Sequence, residues 1–213
     1  MEADFWHERW DKGETAFHEG KPNRLLIKHF DALELAEGAR IFLPLCGKAI
    51  DIHWLLGRGF RVVGIDLSPI AIRQLFDDLG LEPSITEDGE LTRYSAPNID
   101  IFVGDVFALT WDQLGPVDAI YDRAALVALP ADMRARYAAH LAEITDAARQ
   151  LLLSFDYDQR LFDGPPFSVD AAEIDRVHGA RYLPHLLEQG RIPGGLKRHD
   201  DVDETAWLLT AKG

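Results

Sequence analysis

One stretch, residues 41–66, constrains the fold of this chain more than any other. It contains an apolar strand, a tight turn, a short amphipathic helix and a second apolar strand. In chain order these are the strand 41–45, the turn around Gly47, the helix 50–56, a break at Gly57 and Gly59, and the strand 61–65. Two apolar strands joined by a helix predict a βαβ unit, so we expect an α/β fold.

An acidic side chain at the carboxyl end of the second strand indicates a nucleoside cofactor. Asp66 stands where a carboxylate accepts hydrogen bonds from both hydroxyls of a ribose, while backbone amides of the preceding turn approach the ligand. In the alternative interpretation the stretch is an ordinary βαβ unit, and Asp66 only begins the next helix.

The composition of the turn distinguishes between cofactors. A dinucleotide site needs the pattern G-x-G-x-x-G, because three glycines let the backbone and a helix N-terminus approach a pyrophosphate. The turn here, residues 45–49 (LCGKA), contains Gly47 as its single glycine. S-adenosylmethionine (SAM) has no phosphate and ends in a zwitterionic amino acid, for which one glycine is enough. The turn therefore favours SAM over NAD.

Composition limits the partners of the chain. Its 213 residues suit one domain, residues 1–213, and 36 acidic residues against 22 basic ones give a formal net charge of -14. Such a surface repels phosphate backbones and anionic lipid, so we expect no nucleic-acid or membrane partner. We expect a small-molecule substrate instead.

Cysteine usage and the N-terminus bear on the compartment. Cys46 is the only cysteine, which excludes an internal disulfide and a cysteine-based zinc site. The charged N-terminus lacks the apolar core of a signal peptide, and no apolar run approaches the length of a membrane span. We expect a cytoplasmic protein, and the absence of a long apolar stripe favours a monomer.

Strands and helices alternate along the rest of the chain. Further strands are predicted at residues 99–103, 119–122, 150–156, 182–189 and 205–211, and further helices at residues 23–35, 69–79, 124–128, 131–146 and 169–178. Residues 82–97 are polar and rich in turn formers, which predicts a loop or a short hairpin. The order predicts a doubly wound, Rossmann-like, mostly parallel sheet of seven strands with an antiparallel C-terminal edge strand, the outline of a class I methyltransferase.

Other candidate site residues follow the later strands. Asp105 and Val106 come after the strand 99–103, where a polar side chain can meet the amine of an adenine; a simple turn cap is the alternative. Arg123 follows the strand 119–122 at the same edge, where open α/β sheets bind ligands. Pro166 belongs to a rigid loop after the strand 150–156, a candidate rim for a substrate pocket.

Aromatic residues near the N-terminus have two interpretations. Trp6 and Trp10 share one face of a predicted helix, and a loop with Phe17 follows. Composition alone favours simple packing onto the domain. The alternative is an aromatic lid over a planar or cationic ligand, since a sulfonium is attracted to the face of an indole.

Several stretches together resemble the thiopurine S-methyltransferase family, in its compact bacterial branch. They are TAFH (15–18), FLPLCGKAIDIHWL (42–55), VVGIDLS (62–68), YDRAALVAL (121–129) and LLSFDYDQRLFDGPPFSV (152–169). The segments PLCGKA and YDRAALVAL are more specific to this family than the general methyltransferase outline, and together the stretches span nearly the whole chain.

The resemblance implies roles for individual residues. It places SAM contacts on Trp10, Leu45, Asp66 and Arg123, with Asp105 and Val106 near the adenine and Gly47 in the cofactor turn. It places Phe17 against the aromatic acceptor, with Trp6 as the outer tryptophan, and Pro166 at the substrate rim. It also makes residues 1–36 a helical lid over the cofactor, which reverses the preference for simple packing. Some members carry glutamate at position 66 and a smaller polar residue at position 105.

The chemistry implied is direct in-line transfer of the SAM methyl group to the sulfur of an aromatic or heterocyclic thiol such as 6-mercaptopurine, which leaves S-adenosylhomocysteine. No strong general base is needed, because such thiols ionise near neutral pH. Arg123 could hold the SAM carboxylate or keep a thiolate ionised, and its strand-end position favours the first role. Cys46 is expected to be a packed residue, and the scattered histidines predict no metal site.

Three alternatives stay open at this point. The acceptor could be a selenium or tellurium species, a halide or a small thiol, because acceptor identity depends on loops rather than on the fold. The chain could be a SAM-binding protein without catalysis. A NAD-dependent oxidoreductase is the third, and the single-glycine turn opposes it.

Overall fold

The fold is a mixed sheet covered by helices on both faces, seen in a computed structural model that describes Glu8 and residues 20–213. The strands are β1 (Arg40–Pro44), β2 (Arg61–Asp66), β3 (Ser84–Asp88), β4 (Leu91–Ala96), β5 (Ile99–Val103), β6 (Ala119–Asp122), β7 (Arg149–Asp156), β8 (Tyr182–Arg191) and β9 (Asp203–Ala211). Their order is β3-β4-β5-β2-β1-β6-β7-β9-β8. The five strands β5, β2, β1, β6 and β7 are parallel, and β4 and β9 run antiparallel to their neighbours.

Six α-helices accompany the sheet within the described residues. They are α1 (Arg24–His29), α2 (Ile50–Gly57), α3 (Pro69–Leu79), α4 (Trp111–Leu114), α5 (Ala131–Ile144) and α6 (Ala171–His178). The bounds of α3 follow from its sequence: the Ser68 side chain accepts from the Ala71 amide at 3.2 Å, and Gly80 ends the helix with a φ of 66°. None of the helices in these residues has the length and apolarity to span a membrane.

The class I methyltransferase architecture is confirmed, with nine strands in the sheet instead of the predicted seven. The two additional strands are β3 and β4, a hairpin formed by the segment for which loop and hairpin were both open. It extends the parallel region beyond β5.

Two predicted helices are shorter than expected. The helix predicted over residues 23–35 ends after α1 and continues as a 3₁₀ turn, Phe30–Leu33, which Glu34 terminates in the left-handed region at a φ of 49°. The helix predicted over residues 124–128 is a 3₁₀ turn, Leu126–Ala128. The short helix α4 was not predicted, because four residues carry too little periodicity.

Alternate residues of the central strands enter two separate cores, which is why these strands are apolar throughout. In β1, Phe42 belongs to one cluster, while Ile41 and Leu43 belong to the other. Helices α5 and α6 cover the first cluster, and α1, α2 and α3 cover the second. A sheet buried on both faces leaves its strand ends as the place where polar groups meet solvent.

Candidate functional site

The predicted site residues follow the carboxyl ends of β5, β2, β1 and β6, which are neighbours in the sheet. The chain leaves β1 towards β2 and β5 on one side and later returns to β6 on the other side of β1. Such a change of direction opens a crevice outside the carboxyl ends of the strands, where α/β proteins bind ligands. We call this region the crevice.

Asp66 joins the turn after β1 to the segment after β2. One carboxylate oxygen accepts the Gly47 amide at 2.7 Å, and the other accepts the Ser68 amide at 2.9 Å. Asp66 is half-buried, and it is not the N-cap of α3, a role that Ser68 takes. The carboxylate therefore fixes the turn instead of merely beginning a helix.

The turn after β1 has a left-handed backbone at two positions. Leu45 has a φ of 48°, and so does Gly47. Glycine adopts this conformation without steric cost, whereas a leucine does so at a cost on the order of 1 kcal/mol. Both residues belong to the predicted cofactor site, and strained backbone of this kind is typical of functional sites.

Cys46 is a packed residue, as expected. It is buried among the apolar residues of one core, and its amide donates to the Ile65 carbonyl at 3.0 Å. Burial, together with the negative charge of Asp66, raises the pKa of the Cys46 thiol well above its usual range. A neutral, enclosed thiol is a poor nucleophile.

The residues after β5 take part in local hydrogen bonds. The exposed Asp105 accepts the Phe107 amide at 3.0 Å, so one of its oxygens forms the turn cap that was the alternative to an adenine contact. Val106 is buried, and its carbonyl oxygen lies 2.8 Å from Nε2 of His140 on α5. These bonds hold the backbone after β5 in place at the edge of the crevice.

Arg123 lies beside a buried carboxylate at the end of β6. Its Nη1 is 3.9 Å from Oδ2 of Asp51, and the guanidinium side chain is 14% exposed. The same oxygen of Asp51 accepts the Tyr121 hydroxyl at 3.0 Å. Ala124, directly after Arg123, has a φ of 60°. The strand end is thus held by an ion pair and a turn of unusual backbone conformation.

The Asp51 carboxylate also reaches the start of the described main chain. Its other oxygen accepts the Asn23 amide at 2.7 Å, and the Asn23 side chain donates to Glu204 on β9 at 3.2 Å. The residues of this network are 8% exposed or less, apart from Arg123. The sequence analysis did not identify Asp51, Asn23 or Glu204, whose partners are distant in the chain. The one available signal was an aspartate within the apolar helix 50–56.

Pro166 belongs to an internally bonded loop, residues 157–168, which follows β7 and which we call the proline loop. The Tyr157 hydroxyl donates to the Pro166 carbonyl at 2.7 Å, and the Tyr157 and Phe162 rings stack with centroids 4.4 Å apart. The Phe167 amide donates to the Val127 carbonyl at 2.7 Å and ties the loop to the segment after β6. The loop is therefore positioned beside the crevice, as a rim would be.

The structure brings together the turn after β1, Asp66, the residues after β5, Arg123 and the proline loop at one edge of the sheet. Trp6, Trp10 and Phe17 lie outside the described residues. Among residues 20–213 no group of three or more histidines, cysteines or carboxylates is placed to hold a metal ion.

Comparison with solved structures agrees with this architecture. The N1-methyltransferase for 1,6-didemethyltoxoflavin from Burkholderia thailandensis, with bound S-adenosylhomocysteine, superposes with a TM-score of 0.68 at 16% identity over 99% of this chain and 87% of that one. A TehB-like SAM-dependent methyltransferase from Corynebacterium glutamicum superposes with a TM-score of 0.58 at 18% identity over 99% and 98% of the two chains. The fold and the strand order are those of the class I SAM-dependent methyltransferases.

Sequence comparison specifies the family within this class. The family model described as thiopurine S-methyltransferase (TPMT) matches residues 1–209. A thiopurine S-methyltransferase of Xanthobacter autotrophicus is 58% identical over 210 residues, 98% of this chain and 99% of the relative. Another, of Gluconobacter oxydans, is 50% identical over 98% and 94% of the two chains. The chain belongs to the thiopurine S-methyltransferase family, and it is an enzyme that uses SAM as its methyl donor.

Proposed function

We propose that this enzyme methylates the sulfur of aromatic and heterocyclic thiols, with thiopurines such as 6-mercaptopurine as the acceptor type, and releases S-adenosylhomocysteine. The observation that carries the proposal is the crevice. The Asp66 carboxylate, the Gly47 amide and the Arg123 guanidinium all lie there, at one edge of the sheet. The names of relatives 50–58% identical over nearly the whole chain support the acceptor class.

The residues at the crevice fit SAM. The half-buried Asp66 offers carboxylate oxygens to a ribose diol, and the Gly47 position lacks a side chain that would keep a ligand from the backbone. Arg123 offers a planar, permanently charged group with which a carboxylate can pair. When bound, SAM supplies a methyl group on a positively charged sulfur, which a thiolate attacks in line with the breaking bond.

The protein contributes position more than proton transfer. Heteroaromatic thiols ionise near neutral pH, so an acceptor held in line needs no strong general base. The only cysteine is buried and its pKa is raised, which opposes a methylated-cysteine intermediate and supports direct transfer. In this proposal Arg123 holds the cofactor carboxylate, and the Asp51 carboxylate 3.9 Å away orients the guanidinium.

The N-terminal residues complete the site in our proposal. By family resemblance, Trp10 closes over the cofactor, Phe17 packs on the aromatic acceptor, and Trp6 forms the outer wall. Pro166 then lines the acceptor side, since the proline loop is tied to the segment after β6.

The test is product formation from SAM with 6-mercaptopurine, run beside selenite and a control without acceptor, with S-adenosylhomocysteine and methylated product both quantified. We expect equimolar S-adenosylhomocysteine and methylated thiol. Turnover with selenite but not with the thiol would assign the enzyme to a different acceptor class, and tight SAM binding without any turnover would contradict catalysis on both. The Cys46→Ala variant serves as a control for direct transfer and should keep its turnover with the thiol.

A further inference from the structure

A cavity lies at the end of the parallel strands that is opposite to the crevice. Its volume is about 330 Å³, which is within the range of small-molecule sites. Three arginines line it: Arg40 begins β1, Arg61 begins β2, and Arg93 lies on β4. The chain between α4 and β6 forms the remaining wall, with Gln113, Leu114, Gly115 and Pro116. We call this site the arginine cavity.

Protein contacts hold each of the three guanidinium groups in place. Arg40 donates through Nη1 to the carbonyl oxygens of Leu114 and Pro116, the latter at 3.2 Å. Arg93 donates to one carboxylate oxygen of Asp100 at 2.9 and 3.2 Å. The Arg61 Nε donates to the Gly38 carbonyl at 2.9 Å. Fixed guanidinium groups lose little conformational freedom when they bind a ligand.

The electrostatics of the arginine cavity favour a negative ligand. Asp100 and Asp118 lie among the arginines and offset two of the three positive charges. Burial lowers the pKa of Arg40; the negative charge of Asp100 opposes this shift, and the positive charges of Arg93 and Arg61 add to it. The remaining positive charge is that of Arg61, which has no carboxylate partner among the described residues, and an anion in the cavity would neutralise it.

Arg61 has the capacity to take such a ligand. The Arg61 side chain is exposed, and within residues 20–213 its one hydrogen bond runs from Nε to the Gly38 carbonyl. Both terminal nitrogens therefore remain available as donors. These nitrogens form the planar fork that matches the paired oxygens of a phosphate or a carboxylate. A nucleic acid does not fit, because the concave cavity admits a small molecule and the rest of the chain is acidic.

We propose that the arginine cavity binds a small oxyanion, of phosphate or carboxylate type, at a site separate from the methyl-transfer crevice. The ligand is held by Arg61 with help from Arg40 and Arg93. Binding here does not depend on methyl transfer, so the two proposals stand or fall independently.

Isothermal titration calorimetry tests the site with inorganic phosphate and with citrate, in a zwitterionic buffer whose ionic strength is fixed with chloride. The two probes distinguish phosphate from carboxylate ligands. We expect saturable binding of at least one of them, and at least about tenfold weaker binding by Arg61→Gln, because a charge-assisted hydrogen bond contributes more than a factor of ten. The affinity of Arg61→Lys should fall between those of the unmodified enzyme and Arg61→Gln, since lysine keeps the positive charge but lacks the paired nitrogens of the guanidinium.

The matched control is Arg73→Gln, which removes the same charge from an exposed position on α3 outside the cavity. It should bind the anion like the unmodified enzyme. SAM affinity and the melting temperature are measured for every variant, and both should stay unchanged. No saturable binding of either probe, or equal weakening by Arg61→Gln and Arg73→Gln, would overturn the proposal.

Discussion

Asp66 combines a structural contact and a proposed ligand contact in one side chain. Its two oxygens accept hydrogen bonds from the amides of Gly47 and Ser68. The carboxylate thereby fixes the turn that a cofactor would contact. An asparagine keeps the size of the side chain but offers one oxygen, and its amide would face an amide donor. We expect Asp66→Asn to weaken SAM binding at least about tenfold, measured by calorimetry. Asp66→Glu should lose less, and unchanged affinity in Asp66→Asn would contradict the ribose assignment.

Arg123 permits a test that separates its two proposed roles. If it holds the SAM carboxylate, Arg123→Gln should weaken SAM binding at least about tenfold and leave the binding of methylthioadenosine, which lacks the amino-acid end, unchanged. If it keeps a thiolate ionised, SAM affinity stays and turnover of the thiol falls, most strongly at low pH. Both quantities can be measured on one preparation of the variant.

At the scale of secondary-structure elements, the sequence predicted what depends on local pattern. The βαβ unit was predicted because three successive apolar segments and a strand-end carboxylate lie within 26 residues in the order that the fold needs. The sequence could not distinguish the hairpin of β3 and β4 from a loop, because four of the five residues of β3 are exposed and show no alternation of apolar and polar residues. Its pairing with β5 depends on tertiary contacts.

The candidate site was predicted at its strand ends but not in its supporting contacts. Asp66 and Arg123 could be proposed as site residues because each stands at the end of an apolar strand. Asp51 could not, because its partners Asn23 and Tyr121 are 28 and 70 residues away in the chain. A buried carboxylate inside an apolar helix becomes interpretable only when the fold supplies the donors.

The end of β6 provides a prediction on backbone conformation. Ala124 has a φ of 60°, which glycine adopts without the steric cost that alanine bears. We expect Ala124→Gly to leave the free energy of unfolding unchanged or to raise it by up to about 1 kcal/mol, measured by urea denaturation. The control is Ala135→Gly on the exposed face of α5, which should lower it by roughly 1 kcal/mol. Equal losses in both variants would contradict strain at Ala124.

For the whole molecule, two buried groups make opposite contributions to the pH dependence of stability. Burial lowers the pKa of His178 from 6.5 to about 4, and its ring nitrogens have no hydrogen-bond partner among the described residues. Burial raises the pKa of Asp122 from 3.8 to about 6, although the Leu126 amide and the Tyr137 hydroxyl donate to it.

The signs follow from which state binds the proton more tightly. Below pH 6.5 the unfolded chain protonates His178 while the folded chain does not, so the folded state loses stability as the pH falls to about 4. The folded chain protonates Asp122 below about pH 6, before the unfolded chain does, so this group adds stability over the same fall. Each contribution amounts to roughly 3 kcal/mol, and the two largely cancel between pH 4 and 6.

Single substitutions should reveal how each group alone changes the free energy of unfolding with pH. In His178→Leu the free energy of unfolding, taken relative to that of the unmodified enzyme at the same pH, should rise as the pH falls from 6 to 4, because the destabilising contribution of His178 is gone. In Asp122→Asn this relative free energy should fall over the same interval, because the stabilising contribution of Asp122 is gone. Urea denaturation at several pH values measures both, and parallel profiles for the two variants would refute the assignment.

The two outermost strands of the sheet have consequences for self-association. An edge strand presents unpaired backbone groups to which another copy could add a strand. In β8, Pro184 lacks an amide hydrogen, and the register shifts between Leu186 and Glu188. At the other edge, β3 is short and ends in Glu87 and Asp88. These features oppose the intermolecular β-pairing that the exposed apolar side chains of Ile85 in β3 and of Leu183 and Leu186 in β8 would otherwise favour in a concentrated solution of this acidic enzyme.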